Sequence, residues 1–331
     1  MIISRTPFRI TLFGGGTDYP KWYNKYTGSV INATINKYCY ITARQLPPFF
    51  KYKNRIRYYL HEETKTLDDI KHPSVRETAK FLNIKEGIEV VHNADLPAQS
   101  GLGSSSTFTV GLLNALYGLK NYMPTKRELA LNAIHIEQDL IKESVGSQDQ
   151  TAASFGGFNR IKFSKQKIID VDPILISEKR LFELQNNLML FFTGFARNAS
   201  DIAKEQIKIT LNKKKELKDI FDICSEGFSV INDKKEPIDR IGTLLNKQWM
   251  IKKSLTAKIS NDNIDEIYQK GIKAGAIGGK LLGAGAGGFI LFYVPKHKQD
   301  AVKNALKRKL FVPFRFETTG SKIIYHSHQE E

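Results

Sequence analysis

The segment Pro97-Ala-Gln-Ser-Gly-Leu-Gly-Ser-Ser-Ser106 sets three serines behind two glycines and runs straight into a stretch with helical spacing. Glycines let a backbone turn sharply and bring its N–H groups close to a ligand. The first N–H groups of a helix have no intrahelical partner, and the helix dipole favours an anion there. Pro97, Ser100, Gly101, Leu102, Gly103, Ser104, Ser105 and Ser106 are therefore candidates to cradle a phosphate. A flexible loop with an ordinary serine cap is the plainer alternative. The segment is not a Walker loop, because no lysine precedes the serines.

Two further glycine-rich segments could approach a ligand. Gly283-Ala-Gly-Ala-Gly-Gly288 matches a dinucleotide fingerprint letter by letter, but an apolar strand follows it where the fingerprint needs a helix. Its glycines suit either a tight turn or a backbone lining a cleft. Phe13-Gly-Gly-Gly-Thr-Asp18 leaves the first apolar stretch with three glycines. Asp18 can accept hydrogen bonds from hydroxyl groups, as a polyol would require, although a hairpin explains the segment equally well. Gly146-Ser-Gln-Asp-Gln150 places Asp149 in an expected loop, after the helix that carries Glu137. Carboxylates of this kind are usually exposed surface charges, and these two gain interest only from their company.

The elements that must hold these residues follow from periodicity. Ile2 to Phe13 alternates as a strand, and Val30–Ala43, Ile56–Leu60, Gly87–His92 and Phe158–Phe163 read as further strands. Pro73–Leu82 reads as a short helix, and Phe108, Leu112, Leu116 and Leu119 share one helical stripe. Thr125 with Glu128 three residues on forms a capping box that opens the next helix. Ile174 to Thr193 is expected to be strand. Long helices are expected from Asn198 to about Asp233, Ile238 to Gln248 and Asp262 to Gly275. The glycine-rich loop Gly278–Gly288, the strand Phe289–Val294, a helix Lys298–Leu310 and closing strands complete the chain. Strands and helices mix without a βαβα rhythm, which predicts an α+β fold. Its 331 residues suit two domains, divided here as 1–163 and 164–331.

Composition narrows the function classes. Cys39 and Cys224 lie far apart with no ligand-like spacing, as expected of buried thiols in a reducing compartment. Arg5 and Arg9 interrupt the N-terminal apolar pattern, so no signal peptide is read. The longest apolar run, Leu281 to Val294, is too short to cross a bilayer. A soluble, cytoplasmic protein is expected. The net charge of +16 accompanies no nucleic-acid-binding signature. It is read as support for phosphate-bearing ligands, with no nucleic acid and no membrane among the partners.

Taken in order, three segments resemble the motifs of the GHMP kinases, the superfamily of galactokinase, homoserine kinase and mevalonate kinase. They are Thr6-Pro-Phe-Arg-Ile-Thr-Leu-Phe-Gly14, Pro97–Ser106 and Lys280-Leu-Leu-Gly-Ala-Gly-Ala-Gly-Gly288, and the resemblance spans nearly the whole chain. It implies an N-terminal ribosomal-protein-like lobe and a C-terminal ferredoxin-like lobe with the active site between them, and ATP with Mg²⁺ as cofactors. Arg5 to Pro20, followed by Trp22, is similar to the bacterial D-glycero-D-manno-heptose 7-phosphate kinase branch, as is Thr193-Gly-Phe-Ala-Arg197. That branch phosphorylates the anomeric hydroxyl of a sugar phosphate on the way to nucleotide-activated heptose. Galactokinase has Glu and His where this chain has Gly15 and Gly16, which argues against galactose.

By the same resemblance, Asp149 is the general base and Arg9 stabilises the developing alkoxide or orients Asp149. Ser105 and Glu137 would bind Mg²⁺, with Ser104 nearby. Gly15, Gly16, Thr17 and Asp18 would meet the sugar, Arg197 its distal phosphate, and Gly283, Ala284, Gly285 and Gly287 would line the cleft. Rival readings are another sugar 1-kinase of the L-fucose type and a non-catalytic sugar-sensing homologue. A homodimer is left open.

Overall fold

The computed structural model describes residues 1–194 and 199–327, with the backbone alone at 199 and 200. Its first half runs β1 (Ile2–Phe13), α1 (Pro20–Tyr23), β2 (Gly28–Gln45), β3 (Asn54–Arg57), β4 (His61–Thr64), α2 (Pro73–Phe81), β5 (Ile88–Ala94), α3 (Ser104–Leu119), α4 (Lys126–His135), α5 (Gln148–Phe155) and β6 (Phe158–Ser164). The second half runs β7 (Ile168–Pro173), α6 (Glu178–Asn186), β8 (Leu188–Phe192), α7 (Ala199–Ile209), α8 (Lys214–Asn232), α9 (Arg240–Leu255), α10 (Asp262–Lys273), β9 (Gly278–Leu281), β10 (Phe289–Tyr293), α11 (Gln299–Ala305), β11 (Leu310–Phe311) and β12 (Lys322–His326). No helix among the described residues is long and apolar enough to cross a membrane.

Among the described residues the strands form two sheets, of eight and four strands. In the larger, the order is β12-β1-β2-β5-β3-β4, and the long β2 also pairs with β6 through Gly28 to Ala33. The smaller sheet is antiparallel, in the order β11-β8-β10-β9. The division expected at 163/164 falls at the end of β6, whose hairpin partner β7 stays in the larger sheet. The C-terminal β12 also returns to pair with β1.

Helix α3 is apolar nearly all round because it is buried nearly all round, from Ser106 to Tyr117. It packs on β1 and β2, and this fixes its N-terminus beside the end of β1. The Thr125 cap forms as the spacing predicts, with its hydroxyl accepting from the Glu128 N–H at 3.1 Å. Cys39 and Cys224 are buried free thiols.

Several elements differ from expectation. Asp149 lies in the first turn of α5 rather than in a loop. This eight-residue helix packs against α3 and α4, and tertiary contact outweighs its polar sequence. Ile174 to Thr193 is not all strand: Ser177 caps α6, accepting from the Arg180 N–H at 3.4 Å, and only Leu188–Phe192 is extended. The helix expected to Asp233 is two helices, broken between Ile209 and Lys214. Gly278–Leu281 is strand rather than loop, since it pairs with β10. The last helix is shorter than expected and ends at Ala305.

The two halves meet where α8 crosses β1. A Cβ on Gly227 would lie 2.5 Å from the ring of Phe13, which is fully buried. Gly227→Ala should therefore overpack this contact and cost about 1–3 kcal/mol of unfolding free energy in a urea titration. An unchanged midpoint would show that the contact relaxes freely.

Candidate functional site

A cleft of about 600 Å³ opens between the end of β1, the N-terminus of α3 and the glycine loop after β9. Its lining contains Arg9, Gly15, Gly16, Asp18, Gly101, Gly103, Ser104, Ser105, Ser106, Asp149, Gly283 and Ala284 from the sequence-predicted set. Gly103 adopts φ +79 just before α3, and the first intrahelical N–H is that of Thr107, donated to the Gly103 carbonyl at 2.8 Å. The N–H groups of Ser104, Ser105 and Ser106 thus precede the helical ladder, at the end where the dipole favours an anion. The Ser104 hydroxyl folds back to accept from the Gln99 N–H at 3.0 Å.

Arg9 is the centre of the polar end. Its Nε and Nη2 each donate to one oxygen of Asp149 at 2.8 Å, and its Nη1 donates to the Gly101 carbonyl at 2.9 Å. A bidentate pair fixes the plane of the carboxylate as well as its distance. Asp149 is held beside the serine loop, since a Cβ on Gly103 would lie 3.3 Å from its Oδ2. The arginine side chain is 4% exposed and the aspartate 24%, so the carboxylate keeps an open side.

Two glycine segments touch here. A Cβ on Gly283 would lie 2.5 Å from the Gly101 Cα, and both residues have positive φ. Only glycine permits that approach and that backbone together. Helix α9 braces the seam from the second half. Gln248 both accepts from the Gly14 N–H at 3.0 Å and donates to its carbonyl at 3.1 Å, and Lys252 donates to the Gly283 carbonyl.

Asp18 is buried, with Oδ1 accepting from the Gly16 N–H at 2.8 Å. Its Oδ2 lies where a Cβ on Gly146 would stand, 1.9 Å away, so Gly146 is required for the carboxylate to sit there. Burial above all, then the charge of Asp149, pushes the Asp18 carboxyl up to about 6. Glu137 lies behind the cleft wall in a π-helical turn, Ile136–Leu140, that continues α4. Its Oε2 accepts from the Ser106 hydroxyl at 2.8 Å and from Gln150, whereas its buried Oε1 has no hydrogen-bond partner. Burial, then the charge of Glu143, pushes this carboxyl up to about 7.

Some predicted residues lie elsewhere. Ser106 bonds Glu137, and the exposed Ser105 lines the cleft. Leu102 is core, Ser100 is buried and Pro97 is exposed outside the lining. The Thr17 hydroxyl is spent on the Ser29 carbonyl at 3.1 Å, and Gly285 packs on Ile259. Gly287 is likewise outside the lining. Arg197 lies outside the described residues.

Sequence reasoning missed Lys252, Lys280 and Gln206, which all line the cleft. Lys252 had a signal: Leu245, Gln248, Trp249 and Lys252 share one buried stripe of α9, and a lysine on such a stripe is unusual. Also missed was an aromatic wall of Tyr58, His72, His92 and Phe108. His72 stacks on Phe108 at 4.6 Å and His92 meets its edge at 5.0 Å. Burial lowers the His72 pKa to about 4, so this wall is uncharged at neutral pH.

The Asp18 shift makes a stability prediction. Its folded pKa is raised, so its contribution to stability is largest below the unfolded value and is lost as pH rises through about 6. Asp18→Asn keeps the acceptor for Gly16 and removes the buried charge. The variant should exceed the parent in unfolding free energy at pH 8 by about 1–3 kcal/mol in a urea titration, with the gain shrinking from pH 6 towards pH 4. A gain independent of pH would contradict the buried-charge assignment.

Comparison with known proteins gives the family. The model of the GHMP kinases N terminal domain matches residues 72–157, and that of the GHMP kinases C terminal matches residues 234–312. The chain is 35% identical to D-glycero-alpha-D-manno-heptose 7-phosphate kinase of Campylobacter jejuni, over 97% of this chain and 98% of that one. It is 26% identical to galactokinase of Pyrococcus furiosus, over 96% and 95%. Among solved structures, a D-glycero-D-manno-heptose 1-phosphate kinase from Bacteroides thetaiotaomicron superposes with a TM-score of 0.73 at 25% identity, covering 99% of this chain and all of that one. With the three motifs converging on one cleft and both domain models matched in order, the chain belongs to the GHMP kinases.

Proposed function

We propose that this kinase transfers the γ-phosphoryl group of ATP to the anomeric hydroxyl of D-glycero-D-manno-heptose 7-phosphate, giving the 1,7-bisphosphate. The observation that carries the reading is Asp149, locked by Arg9 and held against Gly103 at the N-terminus of α3. A fixed carboxylate beside a phosphate-binding helix end is what phosphoryl transfer to a hydroxyl needs. The heptose phosphate is taken from the names of the Campylobacter and Bacteroides relatives. Residues 1–163 and 164–331 are proposed as the two lobes. A cytoplasmic setting suits the two buried free thiols.

In this reading the triphosphate lies on the Gly101–Ser106 turn with the base against the aromatic wall. That wall is assembled from Tyr58 after β3, His72 before α2, His92 of β5 and Phe108 of α3, one turn along from the serines that open the helix. Glu62 orders the wall, accepting from the Tyr58 hydroxyl at 2.8 Å and from the N–H groups of Lys71 and His72. Asp18 reads the sugar hydroxyls. Asp149 accepts the proton of the attacking hydroxyl, and Arg9 holds it in line.

Mg²⁺ is proposed with the nucleotide. Ser105, which lines the cleft, and Glu137 behind its wall, which has one buried oxygen without a donor, would hold it. No cluster of three or more His, Cys, Asp or Glu that could hold a metal occurs among the described residues, so phosphates and water would complete the shell. The bound ion would offset charge on the phosphates.

ADP release with ATP, Mg²⁺ and a panel of heptose 7-phosphate, mannose, fucose, galactose and mevalonate tests the proposal. Heptose 7-phosphate should give the highest kcat/KM by at least about tenfold, since the distal phosphate supplies binding that a neutral sugar lacks. Asp149→Asn should lower kcat about 1000-fold with ATP binding preserved. Turnover on a free sugar alone would move the acceptor to another class, and near-normal turnover by Asp149→Asn would remove the base.

A further inference from the structure

One buried cation at the polar end has no part in the scheme above. Lys252 is 9% exposed, lines the cleft and reaches it from α9. Its Nζ donates to the Gly283 carbonyl, and among the described residues it has no ion pair. Gly283 abuts Gly101, whose carbonyl takes Arg9 Nη1. Two cations from different halves of the chain are thus tied to adjoining glycines across one seam, with Asp149 beside it.

The charges at this end do not balance. Arg9, Lys71, Lys252 and Lys280 line the cleft against Asp18, Glu143 and Asp149, Asp149 is already held by Arg9, and Lys252 is left with no carboxylate of its own. An anion is the missing partner. Lys280 lines the same cleft but is more deeply buried, with its Nζ on the Leu12 carbonyl at 3.2 Å. Lys252 spends one N–H on Gly283 and keeps two for a ligand.

We infer that Lys252 is a catalytic residue whose ammonium contacts the phosphoryl group in transit, on the Gly283 side of the seam, while Arg9 stands on the Gly101 side. The bond from the anomeric oxygen to phosphorus forms as the bond to the β-phosphate oxygen of ADP breaks. The hydroxyl proton passes to Asp149, and Lys252 keeps its own proton throughout. Its charge offsets that on the equatorial oxygens, in a buried place where such a charge acts strongly. Burial, then the charge of Arg9, holds the Lys252 ammonium down to about 8, and an incoming phosphate would raise it.

The inference rests on the phosphoryl-transfer reading, so its test needs a readout that does not depend on the acceptor. Lys252→Met and Lys252→Arg are compared with the parent in two assays with labelled ATP and Mg²⁺. One measures transfer to heptose 7-phosphate, the other the slow hydrolysis of ATP by water. Lys252→Met should lower kcat for transfer about 100-fold and slow hydrolysis similarly. KM for both substrates and the Kd for ATP should stay within about threefold, and Lys252→Arg should recover at least a tenth of the lost rate. If the parent hydrolyses ATP but phosphorylates no heptose 7-phosphate, the acceptor proposal fails while the hydrolysis rates still decide the role of Lys252. An unchanged kcat, a raised acceptor KM alone, or loss of ATP binding together with rate would each overturn the inference.

Discussion

The site depends on one buried contact, the two-point pairing of Arg9 with Asp149. A guanidinium that meets both carboxylate oxygens at 2.8 Å removes the rotational freedom of the carboxylate. The third bond of Arg9, to the Gly101 carbonyl, passes that constraint to the serine loop. One side chain therefore sets the position of the acid group relative to the N-terminus of α3. Arg9 can do this because its backbone is held on β1, opposite Thr34 of β2, and its own N–H donates to the Leu102 carbonyl of the serine loop at 3.2 Å.

Glycines make the second half of the chain part of the same site. Gly101 and Gly283 touch through positions that no side chain could share, and α9 holds both ends of the contact region through Gln248 and Lys252. The cleft is consequently a junction rather than a pocket of either lobe. Its polar end is charged and its other end is an uncharged aromatic wall, which matches the two ends of a nucleotide chemically.

Much of this was legible in the sequence, for physical reasons. Alternation marked β1 residue for residue, and the Thr125 cap marked α4, because both signals are local. The three glycine-rich segments announced close backbone approach, and their order carried the family. What escaped was set by tertiary contact. The segment around Asp149 is polar and short, so nothing local says helix. Gly146 looks like any loop glycine until the Asp18 carboxylate is found where its side chain would be. The bond from Ser106 to Glu137 turns on where the first turn of α3 points, which composition does not encode. Lys252 hid among the other lysines of a basic chain, although its place on a buried stripe set it apart.

If Arg9 and Asp149 act as one unit, a double-mutant cycle on transfer to heptose 7-phosphate tests that most directly. Arg9→Met, Asp149→Asn and the double variant are compared by kcat/KM. The pairing predicts that each single change costs about 1000-fold and that the double variant is no slower than the worse single one, as for groups that fail together. Costs that multiply in the double variant would show two independent residues and contradict the account.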